Sequence, residues 1–298
     1  MSNLNTQNIR DQKSKVAIIT GVTSGIGRAA SYLLSDLGYQ TVYLVGRNLT
    51  KLEDLKTDLN NKFKNLELIL KVADLADFKE VQILAEELKL ETKNSGIDLF
   101  INNAGIGQDT RLENPQGFEL NLATNYLSQV ILTEKLISNL NQDSFTIFTS
   151  SEAYLGAKID FENMNLEQNF SMFRAYGNSK AYQMMYAKLL RSRQENREVK
   201  NLHFEAIHPG LVDTGFGATT SNQIIQLVMK FIRLFALSSE KSAKENLLAP
   251  IYPENQDRLD KADIWSKGKP VITKKTFMEK DELEKLWKYS QSSLENFL

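Results

Sequence analysis

Thr20-Gly21-Val22-Thr23-Ser24-Gly25-Ile26-Gly27 decides the fold. Before it stands Val16-Ala17-Ile18-Ile19, an apolar run that stops at a glycine, as a strand buried on both faces does. After it, Ile26 to Leu37 carries apolar residues at helical spacing and ends at Gly38, where a C-terminal cap belongs. Glycines between a strand and a helix permit a tight turn and let the backbone approach a pyrophosphate with no Cβ in the way. The helix N-terminus then offers unpaired N–H groups and the positive end of its dipole to the phosphate. The bland alternative is a glycine-rich turn with no ligand. Placement between the first strand and the first helix favours the dinucleotide.

Working outward, strands and helices alternate. Thr41–Val45, Leu66–Val72, Asp98–Ile101, Phe145–Phe148 and His203–Ile207 read as further strands. Leu49–Phe63, Phe78–Leu88, Gly117–Leu140 and Tyr176–Arg191 read as helices between them. This pattern predicts an α/β fold of Rossmann type: a doubly wound parallel sheet with helices on both faces and a ligand crevice at the strand tips. One domain is expected over 15–298, after a polar tail at 1–14. Within it, residues 211–245 are expected to form a variable substrate lid and 250–298 a helical C-terminal extension.

Composition narrows the function. Of 298 residues, 42% are apolar and 24% charged, which suits a globular chain with a sizeable core. A net charge of -1 offers no basic excess for nucleic acid. Absence of cysteine excludes disulfides and thiolate chemistry, and two histidines, His203 and His208, are too few for a histidine-rich metal centre. No metal is expected. The polar N-terminus lacks a signal-peptide core, and no apolar run approaches the roughly 20 residues of a membrane span. A cytoplasmic location is the expectation. A homo-oligomer is left open.

The glycine spacing is G-x-x-x-G-x-G, and it resembles the T-G-x-x-x-G-x-G fingerprint of the short-chain dehydrogenase/reductase family. Further resemblances follow in the family's order: Asn102-Asn103-Ala104-Gly105, Asn125, Ser150-Ser151, Tyr176-x-x-x-Lys180 and Pro209-Gly210. They span roughly residues 15 to 215. Gly117-Phe118-Glu119, Asn125-Tyr126-Leu127, Gly156-Ala157-Lys158-Ile159-Asp160-Phe161 and Leu283-Glu284-Lys285-Leu286-Trp287 resemble the retinol dehydrogenase-like branch. The resemblance implies a dinucleotide held by Gly21, Thr23, Ser24, Gly25, Ile26, Gly27, Arg47, Asp74, Leu75, Asn103, Ala104, Gly105, Tyr176, Lys180, Pro209 and Gly210. Asp74 would hold the adenine amino group, with helix capping as its ordinary alternative.

Val45-Gly46-Arg47 chooses the cofactor. An acidic residue there would bind the ribose 2′-hydroxyl of NAD, whereas a guanidinium matches a 2′-phosphate. NADP(H) is favoured over NAD(H). Ser24 tempers the choice, because many NADP-linked members of the family carry a second basic residue there. Arg47 could also be a solvated surface charge.

Reduction of a carbonyl leaves an alkoxide to protonate. A phenol can serve if a nearby ammonium lowers its pKa from about 10. Tyr176 and Lys180, four apart, share one helix face. By resemblance, Ser151 would bind the substrate oxygen, with Ser150 as fallback. Lys180 would also reach a ribose hydroxyl, and Asn125 would hold a water linking Lys180 to bulk. The second Y-x-x-x-K, Tyr154 to Lys158, contains a glycine and follows a strand, so a loop is expected and helical spacing does not apply. His208 is expected to pack or hydrogen-bond at a strand end. Phe148, Tyr182, Met185, Tyr186 and Leu189 are expected in the core.

The expected function is an NADP(H)-dependent oxidoreductase, an alcohol dehydrogenase or carbonyl reductase acting on a small apolar carbonyl or alcohol. Two alternatives stand: a non-catalytic NADP(H)-binding redox sensor, and a protochlorophyllide reductase-like enzyme, which the lack of cysteine weakens. The amphipathic stretch Asn222 to Leu237 reads as a lid, a membrane-surface helix or a core-packing helix.

Overall fold

The computed structural model describes residues 14–194, 201–210, 237–259 and 261–298. One eight-stranded sheet organises them, in the order β3-β2-β1-β4-β5-β6-β7-β8. The first half alternates β1 (Lys15–Thr20), α1 (Gly25–Leu34), β2 (Tyr39–Gly46), α2 (Leu49–Lys62), β3 (Glu67–Val72), α3 (Phe78–Glu91) and β4 (Ile97–Asn102). The second contains α4 (Leu120–Leu122), α5 (Ser128–Leu136), β5 (Leu140–Thr149), α6 (Met172–Gln194), β6 (His203–His208), α7 (Ser239–Ser242), β7 (Ile264–Ser266), β8 (Lys269–Val271) and α8 (Lys280–Ser293). Strands β1 to β7 pair in parallel, and β8 closes the edge antiparallel to β7.

β1 explains the architecture. Val16 and Ile18 enter one apolar cluster with α3, α5, α6 and α8, while Ala17 and Ile19 enter the other with α1 and α2. Side chains alternate across a strand, so an unbroken apolar run is what burial on both faces requires. Each fully buried aliphatic side chain contributes roughly 1.5–3 kcal/mol. The connection order reverses at β1, which pairs with β2 on one side and β4 on the other. The loops after β1 and β4 therefore leave the sheet side by side, as at the switch point of an open α/β sheet.

Several expected boundaries change. The predicted helix Gly117–Leu140 is interrupted. Gly117 turns at φ 82°, and Glu119 caps α4, accepting the N–H groups of Asn121 and Leu122 at 3.0 and 2.8 Å. A π turn, Ala123–Leu127, joins α4 to α5. Asn139 then ties its amide to Lys89 O and Thr92 Oγ1, and Leu140 already pairs with Ile97 in the sheet. α6 begins four residues before Tyr176, where Ser171 Oγ accepts the Arg174 N–H at 3.2 Å. The extension is not wholly helical: β7 and β8 widen the sheet. Of the expected lid, 211–236 lies outside the described residues, as does Asn222 to residue 236 of the amphipathic stretch. Of residues 239–245, Ala243 is buried in the cluster containing α1, and Ser242 Oγ donates to Pro209 O. The polar tail lies outside the described residues up to 13. Phe148, Tyr182, Met185, Tyr186 and Leu189 are buried in the core.

Candidate active site

The loops after β1, β2, β3, β4, β5 and β6 border one cleft of about 1310 Å³. At one end lie Gly21, Thr23, Ser24, Gly25 and Ile26, with Arg47, Asp74 and Leu75 alongside. At the other lie Ser151, Tyr176 and Lys180, and Asn103, Ala104, Gly105, Pro209 and Gly210 line the span between. Gly27 and Asn125 do not line the cleft; both are buried behind it.

The phosphate loop is set by its first residue. Thr20 Oγ1 accepts the backbone N–H groups of Asn103 and Ala104, both at 3.0 Å. Asn103 Nδ2 returns two bonds, to Thr20 O at 3.0 Å and Gly21 O at 3.2 Å. The side chain of Asn103 thus holds the loop itself. Thr20 was legible as the first letter of the glycine motif, but only as part of a strand. Gly21 adopts φ 73°, the left-handed region that favours glycine. At the start of α1, Ser24 makes no side-chain cap bond, whereas Asn48 caps α2 and Asp77 caps α3. An uncapped helix N-terminus facing a cleft suits an anion. Arg47 is exposed and makes no ion pair with any described residue. Asp74 does not cap α3; its carboxylate accepts the Ala76 N–H at 2.9 Å.

At the opposite end, α6 presents Tyr176 and Lys180 one turn apart. Lys180 Nζ lies 5.4 Å from the Tyr176 ring centroid and donates to Thr149 O at 2.8 Å. Tyr176 shares a hydrogen bond with Ser151, which also accepts the Ala153 N–H at 3.2 Å. Ser150 is committed elsewhere, donating to Lys180 O at 2.7 Å, so the fallback serine is a strut beneath the helix. Burial pushes Tyr176 up to about 12, and the Ser151 hydrogen bond only partly opposes it. Burial also brings Lys180 down to about 7. An ammonium so buried, with one acceptor among the described residues for three N–H donors, suits a partner with hydroxyl oxygens in the cleft.

Asn125 sits in the π turn and is fully buried. Its Oδ1 accepts the Ile106 N–H at 2.7 Å, and its Nδ2 donates to Ile106 O at 2.9 Å and Ser179 Oγ at 3.0 Å. Both amide hydrogens are used, so the side chain clamps the loop. Ser179 in turn donates to Tyr176 O at 2.8 Å. Asn121 extends the clamp, accepting the Gln108 N–H at 3.0 Å. The sequence signalled neither Ser179 nor Asn121.

The decoy pair separates. Tyr154 is buried in a 3₁₀ turn, Glu152–Gly156, while Lys158 is exposed. His208 Nδ1 accepts the Glu152 N–H at 3.2 Å at the end of β6, and burial lowers its pKa. Among the described residues no cluster of metal ligands occurs, and no helix is long and apolar enough to cross a membrane.

Comparison with known proteins gives the same frame. A family model described as short chain dehydrogenase matches residues 15–224. Retinol dehydrogenase 12 of Mus musculus is 26% identical over 278 residues, covering 93% of this chain and 85% of its own. The short-chain dehydrogenase/reductase pkfC of Emericella nidulans is 29% identical over 318 residues, covering 99% and 97%. Among solved structures, a short chain dehydrogenase from Burkholderia cenocepacia in complex with NADP has a TM-score of 0.63 at 19% identity, covering 81% of this chain and 92% of that one. Another, from Burkholderia phymatum in complex with NAD, has 0.61 at 20%, covering 78% and 84%. At such identities the structural likeness speaks for the fold.

Proposed function

Since the chain belongs to the short-chain dehydrogenase/reductase family of oxidoreductases, we propose that it interconverts a carbonyl and an alcohol with NADP(H), using Tyr176 as the acid/base. The observation that carries this reading is the placement of Tyr176, Ser151 and Lys180 at one end of a cleft whose other end is a glycine loop and an uncapped helix N-terminus. The residues fit a dinucleotide: Gly21 and Gly25 keep side chains out of the turn, the α1 N–H groups would meet a pyrophosphate, and Lys180 has donors to spare for a ribose. The bound nicotinamide would supply the hydride.

The protein's part is to hold the carbonyl and move one proton. Ser151 Oγ orients the carbonyl oxygen beside Tyr176. As the carbon gains the hydride, negative charge collects on that oxygen, and Tyr176 Oη–H donates its proton there. A phenol held near 12 is almost wholly protonated at neutral pH, so the donor form is the resting form. An alkoxide is more basic still, which makes the transfer downhill. Lys180 accompanies the phenolate that remains, so its influence falls after the proton has left rather than before. In oxidation the same atoms act in reverse.

Arg47, with no other described ion-pair partner beside the phosphate loop, supports the 2′-phosphate and hence NADP(H). Met172 and Phe173, with Ile106 and Leu120, give the far wall an apolar component and support a small apolar aldehyde, ketone or alcohol. A cytoplasmic location belongs to the same proposal and rests on the cysteine-free composition.

The test is consumption of NADPH and of NADH with a panel of aldehydes and ketones, repeated with Tyr176→Phe and Tyr154→Phe. Tyr176→Phe is expected to lose 10²–10⁴-fold in turnover, on the order of a positioned acid–base group, with its melting temperature kept. Tyr154→Phe is expected to turn over normally. The reverse pattern would overturn the assignment.

A further inference from the structure

Two carboxamides lie in the apolar seam between α5 and α6. Gln129 is 1% exposed and Gln183 is 0% exposed, among Phe148, Tyr126 and Tyr186. Gln183 stands three residues after Lys180, and Gln129 four after Asn125. Gln183 Nε2 donates to Gln129 Oε1 at 2.8 Å. Gln129 Nε2 donates to Ala104 O at 3.3 Å. Ala104 N donates to Thr20 Oγ1 at 3.0 Å. A continuous path of polar contacts therefore runs from the helix carrying Tyr176 and Lys180, through α5 and the loop after β4, to the phosphate loop.

Stability alone does not account for this pair. Gln183 Oε1 is buried and has no hydrogen-bond partner among the described residues, and an orphaned acceptor is unfavourable. Two apolar residues of the same length would fill the seam without that cost. Apolar contact also leaves two helices free to slide by small amounts, whereas hydrogen bonds are directional and fix register. We propose that Gln129 and Gln183 are positioning residues, a buried strut that sets the distance between the Tyr176–Lys180 helix and the loop that holds the dinucleotide. The inference rests on reading the cleft as the NADP(H) and carbonyl site. Neither glutamine touches substrate; each acts through Ala104 or through α6. Small displacements of reacting groups can lower turnover by up to about 10²-fold.

The experiment compares Gln129→Met, Gln183→Met and the double Met variant with the parent. Methionine keeps length and volume and removes every bond of the strut. Four quantities are read: melting temperature, NADPH dissociation constant, kcat and KM for one accepted carbonyl, and amide exchange over residues 18–27 and 101–106. The expected result for the double variant is a melting temperature at or above the parent's, kcat lower by roughly 10–100-fold, carbonyl KM within about twofold, and faster exchange in both segments. Should the double variant not fold, Gln183→Met is read alone, with the same expected losses. A kcat within twofold of the parent overturns the proposal, whatever the exchange shows. If the parent binds NADPH but reduces no carbonyl, the catalytic reading has failed separately. The NADPH dissociation constant then decides: a rise of fivefold or more supports the strut, and a smaller change overturns it. If the parent does not bind NADPH, unchanged exchange in both segments overturns the strut and faster exchange supports it.

Discussion

Gly27→Ala sets two effects of opposite sign against each other. Gly27 lies inside α1, where alanine is the better helix former by about 1 kcal/mol. On propensity alone the change would stabilise. Its Cβ, however, would lie 2.4 Å from Gly21 O and 2.4 Å from Asn103 Nδ2. The amide of Asn103 can rotate away only by giving up its bonds to Thr20 O and Gly21 O. Two such bonds contribute about 2 kcal/mol together. Gly21 O is backbone and moves only with the phosphate loop, a packing conflict of about 1–3 kcal/mol. The net is a destabilisation of about 2–4 kcal/mol. At 2–4 °C per kcal/mol for a large domain, that is roughly a 4–16 °C fall in melting temperature. NADPH binding should weaken at least tenfold, because the displaced loop is the one proposed to hold the pyrophosphate. Calorimetry and fluorescence titration read both. Gly38→Ala is the control: φ is 84° there but nothing lies within 4 Å of the added Cβ, so only backbone strain of about 1–2 kcal/mol enters. A Gly27→Ala variant as stable as the parent, with NADPH affinity within twofold, would refute the packing argument.

Arg47→Ala should weaken NADPH binding by about 1–3 kcal/mol, nearer the low end for an exposed group, and leave NADH nearly unchanged; equal losses in paired titrations would remove the phosphate role. Lys180, brought down to about 7 in the free protein, should be raised when its ammonium gains ribose oxygens. The sign follows: the favourable contribution is full below about pH 7 and is lost as pH rises through the raised value. NADPH affinity should therefore fall from pH 7 towards 10, and Lys180→Met should flatten the profile; a slope that survives Lys180→Met would assign the proton to another group. Ser150→Ala should destabilise by about 1 kcal/mol through loss of its bond to Lys180 O and reduce kcat less than Ser151→Ala does. The opposite order in steady-state assays would exchange the two serines.

The strands that build the switch point were legible because burial on both faces leaves a short apolar run, here closed by turn residues such as Gly21 and Gly46. β1, β2 and β4 were located within two residues. Helix starts were less legible where a cap lies several residues from the residue that draws attention: Ser171 caps α6, yet Tyr176 dominates its reading. The break at Glu119 was hidden by continuous apolar spacing, since a π turn preserves hydrophobicity while shifting phase. β7 and β8 are three residues each, too short for any periodicity. Most motif residues of the site came together around the cleft because they follow strand tips that converge, while Tyr176 and Lys180 reach it from α6. What stayed invisible was the work of Thr20, Ser179, Asn121 and the two glutamines, whose partners are 54 to 84 residues away along the chain for Thr20, Ser179 and Gln129.

The packing of α8 has a consequence for the order in which the protein matures. Phe277, Met278, Leu283, Leu286 and Leu294 belong to the same cluster as α3, α5 and α6. Ser290 Oγ lies 2.6 Å from the hydroxyl of Tyr126, and Arg193 stacks 3.7 Å above the Trp287 ring. A ribosome that has delivered residues through Gly210 has supplied both halves of the site, yet the outer faces of α5 and α6 are still bare. Vectorial synthesis thus leaves an adhesive surface waiting for some eighty further residues, about 4–17 s at ordinary elongation rates. During that interval the exposed apolar faces make the nascent chain prone to association. Slowed translation between codons 211 and 277 would lengthen the exposure and lower soluble yield without changing a single amino acid.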